Sequence, residues 1–373
     1  MISAEYTSTH SIFTLRARRS IFTLDFFSPV SPKNYLRQSL PFSYLTVSVS
    51  GASAAKTQIY SDIDESWTGQ SGNTVSEFTG ANGASLFELS VSGAGTYEEV
   101  DDMALWGDVV FASRPSNLSS VTHQGGNPAS MRRRFAESGT LDGTTPTFRL
   151  GDVVAISHDL GSISNASVTF AIGYVREAAI NYLRSPQTGY YRASYPDTLS
   201  AVSHFFDDYA AAQAESLMMD AKLEKKAIAV GGTNYSDILT LTTRQVFGGS
   251  DLTIPGDSLN TSDAMVFLKE ISSDGNVNTC EYGIRIEINV LTNHPQWMLY
   301  SPLSLFGMSW LQNTFDSSSS LSFSISAQVV GRSHSQFTTL EPTTPMPLAM
   351  TINKQRTCPL KKAVTSSSWR MPT

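Results

Sequence analysis

The feature that most constrains the fold of this chain is an alternation of apolar and polar side chains in its first half. The stretch "YLTVSVS" places Leu45, Val47 and Val49 on one face and hydroxyl side chains on the other. "SIFTLDFF" and "SVTFAIGYV" alternate in the same way, and clusters of Gly, Pro, Asn and Ser separate such stretches. A two-residue period between turn signals is typical of strands with one buried face. The pattern predicts a mainly β chain that begins with an antiparallel β-sandwich over residues 1–195.

The pattern changes to a helical one after residue 195. The stretch "SAVSHFFDDYAAAQAESLMMDAKLEKKAIAV" is rich in strong helix formers and repeats apolar residues at helical spacing. Its predicted apolar stripe consists of Phe205, Tyr209, Ala212, Met219 and Leu223. The glycine pair at 231–232 predicts the end of this helix. A second helix is predicted in "NYSDILTLTTRQVFGG", with Asn234 or Ser236 as its N-cap and the glycines at 248–249 as its terminator.

Charge and hydropathy exclude several classes of protein. The chain has 373 residues, a net charge of −7 and a pI of about 5.4, which argues against a nucleic-acid or anionic-membrane binder. The one dense basic run, Arg132 to Arg134, is interpreted as a solvated loop in preference to a phosphate site. No apolar run approaches the ~20 residues of a membrane span. The first residues lack the apolar core of a secretory leader, so we expect no signal peptide at this start.

Cysteine and sequon positions bear on the cellular compartment. The two cysteines, Cys280 and Cys358, lie in the last quarter, so no disulfide framework or cysteine-based metal site is expected before them. Four Asn-x-Ser/Thr tripeptides occur in the cysteine-free part. These candidate glycosylation sites are Asn117, Asn165, Asn234 and Asn260. They favour a secreted origin, which conflicts with the absence of a leader.

Motifs for known chemistry are mostly absent from the sequence. No dinucleotide fingerprint, P-loop, serine elbow or zinc-protease motif occurs, so we expect no cofactor and no metal site. The carboxylates Asp62, Asp64 and Glu65 precede Trp67 and are interpreted as an acidic loop, with part of a polar site as the alternative. The scattered histidines of this part are interpreted as ordinary surface or core residues.

The segment that most resembles a site is "MVFLKEISSDGNVNT". In it, Lys269 and Glu270 follow an apolar run, and a tight polar turn contains Asp274 and Asn276. Loops at the ends of rigid elements often carry catalytic carboxylates, which makes Glu270 and Asp274 candidate catalytic residues. Lys269 and Asn276 are the corresponding candidates for substrate binding. The alternative is a turn without a chemical role.

Several long stretches resemble the secreted fungal glutaminase A family in the order in which that family carries them. They are "EYTSTHSIFTL", "LDFFSPVSPKNYLRQSLPFSYLTVSV", "QIYSDIDESW", "LTLTTRQVFGG" and "FLKEISSDGNVNT". The resemblance runs from about Glu5 to Thr279. It implies an N-terminal β-sandwich followed by the first helices of an all-α, six-hairpin barrel over residues 196–279. It also implies extracellular hydrolysis of L-glutamine to glutamate and ammonia, with glutamine as the small-molecule partner and without nucleic acid or membrane.

The resemblance ends at Thr279, and the residues that follow can be explained as a translated intron. Codons for Cys280 to Tyr282 can contain the splice-donor sequence GTGAGT, and Gln296 as CAG would supply the acceptor. Joining the first base of the Cys280 codon to the Trp297 codon restores a phase in which the downstream codons can encode family-like sequence. Residues 280–373 are therefore expected to form a disordered tail that contains no domain.

Two consequences and two alternatives follow from this interpretation. The chain matches the family from a point inside its β domain, so Met1 is not expected to be the family's true start. The chain as written is expected to lack most of the catalytic domain and to be inactive. The alternatives are a non-catalytic β-sandwich module that binds carbohydrate or protein, and a six-hairpin relative that acts on carbohydrate. The sequence makes no prediction about oligomeric state.

Overall fold

A computed structural model describes residues 1–268 except 18, 52–55, 70–71, 82, 101–102, 116–118 and 163–164, together with residues 323–330 and 336–340. The strands are, in chain order, β1 (Ser3–Tyr6), β2 (His10–Ala17), β3 (Ser20–Phe27), β4 (Phe42–Gly51), β5 (Lys56–Asp64), β6 (Thr74–Ala81), β7 (Ala84–Val91), β8 (Glu99–Val100), β9 (Met103–Ala104), β10 (Asp108–Ser113), β11 (Ser120–Gly126), β12 (Val153–Ser162), β13 (Asn165–Val175), β14 (Ile180–Tyr182), β15 (Ser185–Gly189), β16 (Ser250–Pro255), β17 (Met265–Leu268), β18 (Phe323–Val330) and β19 (Gln336–Leu340). The α-helices are α1 (Tyr35–Ser39), α2 (Pro128–Ser138), α3 (Thr198–Asp207) and α4 (Tyr209–Gly248). Short 3₁₀ helices span Glu65–Thr68, Tyr190–Ala193 and Thr261–Asp263.

Two antiparallel sheets face each other and enclose the main core. The first has eight strands in the order β1-β2-β3-β4-β13-β10-β7-β6, and the second has the order β11-β12-β5-β18-β19. One apolar cluster joins Leu45 and Val47 of the first sheet to Ile59 and Ile156 of the second. The alternation in the sequence therefore correctly predicts a mainly β, antiparallel fold, and the residues assigned to the inner face are the ones that pack between the sheets.

The helices cover the opposite face of the first sheet. Tyr44 and Phe27 point away from the sandwich core and pack with Ala201, Phe205 and Ala212 of α3 and α4. The ring of Tyr44 stacks on that of Phe205 with centroids 3.7 Å apart, and its hydroxyl donates to the carbonyl oxygen of Phe205. This sheet is thus apolar on both faces, which is why its strands carry buried aromatics at consecutive positions.

The predicted glycine break lies within α4. Gly232 has φ 75° and ψ −168°, a conformation that ends one helical segment and starts another. Phe205, Ala212 and Leu223 of the predicted stripe are buried, as expected. The prediction that Asn234 or Ser236 caps the second segment was wrong, because helical geometry resumes directly after Gly232.

Two strands of the predicted tail take part in the second sheet, while the expectation that residues 280–373 contain no domain stays a prediction. Residues 323–330 pair antiparallel with β5 along its whole length, and residues 336–340 pair with them in turn. On its other side, β5 pairs with β12. The edge that residues 323–330 occupy presents backbone donors and acceptors with which any extended segment can pair. The other residues of the tail lie outside the described residues.

A third, smaller sheet follows the sandwich. Its strand order is β14-β15-β16-β17, so it joins the chain before α3 to the chain after α4. Arg176 donates to the Asp251 carboxylate at 3.0 Å and fixes the base of this sheet to the end of β13. Among the helices of the described part, none combines the length and the apolar character that crossing a bilayer requires.

Candidate functional site

The third sheet ends where the predicted site begins. Strand β17 runs to Leu268, the residue immediately before Lys269 and Glu270. These two residues, with Asp274 and Asn276, lie outside the described residues. The structure therefore describes the strand that leads into this segment. The four candidate side chains lie beyond it.

A groove of about 510 Å³ opens beside this sheet, and its lining includes Tyr182, Gln187, Pro255, Asp263 and Met265. Register explains why these side chains converge, since Gln187 lies opposite Pro255 and Thr253 lies opposite Met265 on adjacent strands. The groove has the volume expected of a small-molecule site. It lies at the start of β17, at Met265, whereas the candidate carboxylates follow the end of this strand at Leu268.

The hairpin that borders this groove has an unusual turn. Leu183 and Arg184 connect β14 and β15 with φ 50° and 69°, a conformation normally adopted by Asn and Gly in two-residue hairpins. Leu183 is 82% exposed, so no packing explains the choice of an apolar residue there. Bulky residues at positive φ concentrate at functional sites, and no Gly, Asn or Asp in the sequence marks this turn.

A second groove, of about 590 Å³, lies along α3. Arg114, which follows β10, donates to the Asp207 carboxylate at 2.5 Å across this groove. Tyr195 and His204 form one wall with their rings stacked 4.6 Å apart. The sequence pattern does not predict this groove, because its residues come from three distant segments of the chain.

The acidic stretch at 62–65 is not the loop that the sequence predicted. Asp62 belongs to β5, is fully buried, and accepts hydrogen bonds from the Tyr60 hydroxyl at 2.6 Å and from Arg132 at 2.9 Å. Asp64 caps the following 3₁₀ turn, and burial raises its pKa. Glu65 accepts from the backbone of Gly151 at 3.0 Å. These contacts are structural, so the stretch holds the second sheet together.

The basic run at 132–134 is also not a solvated loop. It lies on α2, whose buried Met131 and Phe135 pack on Tyr60 of the second sheet. Helical spacing directs Arg132 toward Asp62, whereas Arg134 pairs with Asp142 at 2.8 Å. Arg133 remains exposed. Two of the three arginines therefore neutralise carboxylates of the same molecule.

A serine–histidine pair resembles a nucleophile with its base but lies in the wrong place for catalysis. The Ser113 hydroxyl is 2.7 Å from Nε2 of His158, and the Ser119 hydroxyl is 3.1 Å from its Nδ1. Ser113 also donates to the Thr169 carbonyl at 2.8 Å. Ser113 and His158 are both fully buried, and burial lowers the pKa of His158 to about 4. No substrate reaches this pair, which links the two sheets instead.

The other histidines are packed as the sequence analysis expected. His10 is buried, bonds Asp25 at 2.9 Å and stacks on Phe27. His123 stacks on Phe78 at 3.5 Å, and burial lowers its pKa. Within the described part of the chain, no group of three or more His, Cys, Asp or Glu side chains is arranged to hold a metal ion.

Two family matches divide the chain near Gly232. Residues 9–226 match the family described as "Domain of unknown function (DUF5127)". Residues 232–307 match the family described as "Glutaminase A six helical-hairpin domain". The second match extends beyond Thr279, the point at which the resemblance in the sequence analysis ends.

Two curated proteins are similar to this chain. One is named Glutaminase A, from Aspergillus oryzae, and is 31% identical over 317 residues, which cover 80% of this chain and 44% of that protein. The other is named "Probable glutaminase", from Arthroderma benhamiae, and is 26% identical over 305 residues, which cover 74% of this chain and 34% of that protein. The chain thus spans less than half the length of both relatives.

Proposed function

The chain belongs to the glutaminase A family, and we propose that the activity behind its fold is the hydrolysis of L-glutamine to L-glutamate and ammonia. The name of the Aspergillus relative supports this reaction. The observation that carries the proposal is the match of residues 232–307 to the family described as "Glutaminase A six helical-hairpin domain", because these residues include Lys269, Glu270, Asp274 and Asn276.

The reaction needs two proton transfers, for which the segment supplies two carboxylates. In the proposal, Glu270 or Asp274 removes a proton from a water molecule while the water oxygen attacks the side-chain carbonyl carbon of glutamine. The other carboxyl group protonates the departing nitrogen, so that the C–N bond breaks and ammonia leaves. Lys269 pairs with the substrate's α-carboxylate, and Asn276 hydrogen-bonds its polar groups. No cofactor is required by this scheme.

We also propose that the protein is secreted and glycosylated. Asn165, Asn234 and Asn260 are exposed on the surface, where oligosaccharide can be attached. Asn117, the fourth candidate, lies outside the described residues. Support comes from the four sequons. Mass spectrometry of the protein secreted by its source, before and after glycosidase treatment, tests each site.

Ammonia release from L-glutamine tests the proposed activity. The chain as written is expected to release none, because residues 280–373 replace family sequence in our interpretation. The protein translated from the processed transcript is expected to be active, and Glu270→Gln or Asp274→Asn is expected to lower kcat at least about 100-fold. Asp237→Asn, an exposed change on α4, is the matched control.

Each outcome has a distinct meaning. An inactive processed protein that is folded by circular dichroism would reject the reaction. An active processed protein unaffected by either substitution would reject the residue roles. Turnover by the chain as written that disappears in either variant would support the site and reject our interpretation of the tail.

A further inference from the structure

The groove along α3 has walls of fixed geometry. Helix α3 contributes Ser200, Ser203, His204 and Asp207, which repeat at helical spacing and therefore share one face. Arg114 lies across from this face, and Tyr195 closes one end. At about 590 Å³ the groove holds two or three sugar-sized rings, within the range of small-ligand sites.

The charges in this groove neutralise each other. The Arg114 guanidinium donates to Asp207 at 2.5 Å and to the Ser203 carbonyl oxygen at 3.0 Å, and it lies 5.4 Å from the centre of the Phe206 ring. These contacts occupy the side of the guanidinium that a carboxylate or phosphate would need. An anion, or a zwitterionic amino acid, would have to break the Arg114–Asp207 pair. The geometry therefore favours a ligand without ionised groups.

The remaining polar groups suit a ligand that both donates and accepts hydrogen bonds. Within the described part of the chain, the buried Ser203 hydroxyl has no hydrogen-bond partner. Tyr195, His204 and Asp207 add a hydroxyl, an imidazole and a carboxylate to the lining. Hydroxyl and imidazole groups donate and accept, and a carboxylate accepts. A row of ligand hydroxyls suits this mixture of donors and acceptors, whereas an apolar ligand would displace water from these groups without replacing its hydrogen bonds.

An aromatic wall completes the arrangement. The rings of Tyr195 and His204 are stacked with 18° between their planes, which holds both in a fixed orientation. A ring face packs well against the C–H surface of a pyranose, because both are flat and weakly polar. We propose that this groove is a binding site for a neutral oligosaccharide. It lies on a different surface from the groove beside β17, so it is independent of the proposed hydrolysis and would hold the protein near carbohydrate.

Calorimetric titration of the full chain tests the proposal with two probes. Laminaritriose, a neutral glucose trimer, represents cell-wall polysaccharide, and an α-linked mannotriose represents protein-linked glycan. At least one is expected to bind with a Kd on the order of 1 mM, typical of a single open groove. Preference between the two identifies the source of the ligand.

Two variants locate the binding. Asp207→Asn, which removes an exposed charge and its pairing with Arg114, is expected to weaken binding severalfold, and His204→Ala to weaken it about tenfold through loss of the stacked wall. The matched controls, Asp237→Asn and Tyr6→Ala, change exposed residues elsewhere and are expected to leave the Kd unchanged. Circular dichroism checks that each variant is folded.

Three results would overturn the proposal. The first is the absence of binding heat with either trisaccharide at concentrations up to about ten times the expected Kd. The second is binding that both groove variants leave intact. The third is displacement of the trisaccharide by equimolar L-glutamine or inorganic phosphate, which would show that the groove selects a ligand with ionised groups.

Discussion

The hydroxyl of Thr9 donates a hydrogen bond to the carboxylate of Asp220 at 2.7 Å, across 211 positions of the sequence. Thr9 precedes β2 of the first sheet, and Asp220 lies in the first segment of α4. Both residues are buried, so the contact fixes the helix against the sheet without competition from water. The first segment of α4 is therefore packed against the β-sandwich as one of its layers. No free linker separates this helix from the sheet.

Arg244 makes the same connection from the second segment of α4. Its guanidinium donates to the Ser11 hydroxyl at 2.7 Å and to the carbonyl oxygens of Thr7 and His10 at 2.9 and 2.5 Å. Arg244 is half-buried, and this burial lowers its pKa. One side chain thus satisfies three acceptors at the start of β2.

We expect Arg244→Met to destabilise the protein by about 3 kcal/mol. Methionine fills much of the same volume but donates nothing, so partly buried carbonyl oxygens lose their partner, each at a cost of about 1–3 kcal/mol. Lys225→Met, on the exposed side of α4, is the matched control and should change the free energy of unfolding by less than about 0.5 kcal/mol. Urea denaturation followed by circular dichroism measures both. Equal effects of the two substitutions would show that Arg244 does not join the layers.

The buried Asp62–Arg132 pair gives a second prediction. Arg132→Ala leaves the fully buried Asp62 carboxylate without its cation, and removal of one partner from such a pair costs about 3–5 kcal/mol. Arg133→Ala, one residue further on the same helix, removes an exposed arginine. Its free energy of unfolding should lie within about 0.5 kcal/mol of that of the parent protein. The two variants have the same helix propensity change, so the difference between their unfolding free energies isolates the pair. A difference below about 1 kcal/mol would contradict its structural role.

The sequence predicted the layers of this fold better than its polar contacts. Period-two alternation identified Leu45, Val47 and Val49 as core residues because burial of one face is a local property of a strand. The roles of Asp62 and Arg132 could not be predicted, since their pairing depends on how α2 crosses the second sheet, 70 residues later. The groove along α3 escaped prediction for the same reason. Strand β18 was missed because backbone pairing at an open edge requires no distinctive side-chain pattern.

His158 gives the stability of the fold a defined pH dependence. Burial lowers the pKa of His158 to about 4, against about 6.5 in an unfolded chain. Between these two pH values the unfolded state binds a proton that the folded state does not bind. The contribution of the neutral ring is therefore complete above pH 6.5 and is lost as the pH falls toward 4. Over that window the loss amounts to about 3 kcal/mol.

Comparison with His158→Asn isolates this effect. Asparagine keeps hydrogen-bonding capacity toward Ser113 but does not titrate, so the pH dependence of all other groups cancels in the difference. The unfolding free energy of the parent minus that of the variant should decrease between pH 6.5 and 4. Denaturant titrations at half-unit intervals provide the measurement. A difference that stays constant with pH would show that His158 is accessible to protons in the folded state.

The last prediction concerns the message that encodes residues after Thr279. Reverse transcription across this region is expected to give a product that lacks the codons from within Cys280 to Gln296, and whose translation continues into family-like helical sequence. The structure adds a physical consequence. Strands β18 and β19 belong to residues that the processed message would replace, so β5 would lose the partner that pairs with Lys56–Ile63. Its edge would then need another strand, because an unpaired edge of this length promotes aggregation.

Amide hydrogen exchange on the chain as written separates the two interpretations of the tail. If pairing with β5 is as stable as the sandwich itself, the amides of 323–330 should be protected as well as those of β12. Backbone pairing without selected side-chain packing should instead open locally, and we expect protection in 323–330 to be at least about 100-fold lower than in β12. A transcript that retains the Cys280–Gln296 codons, together with full protection of 323–330, would show that the tail was selected as part of this fold, and the intron interpretation would be wrong.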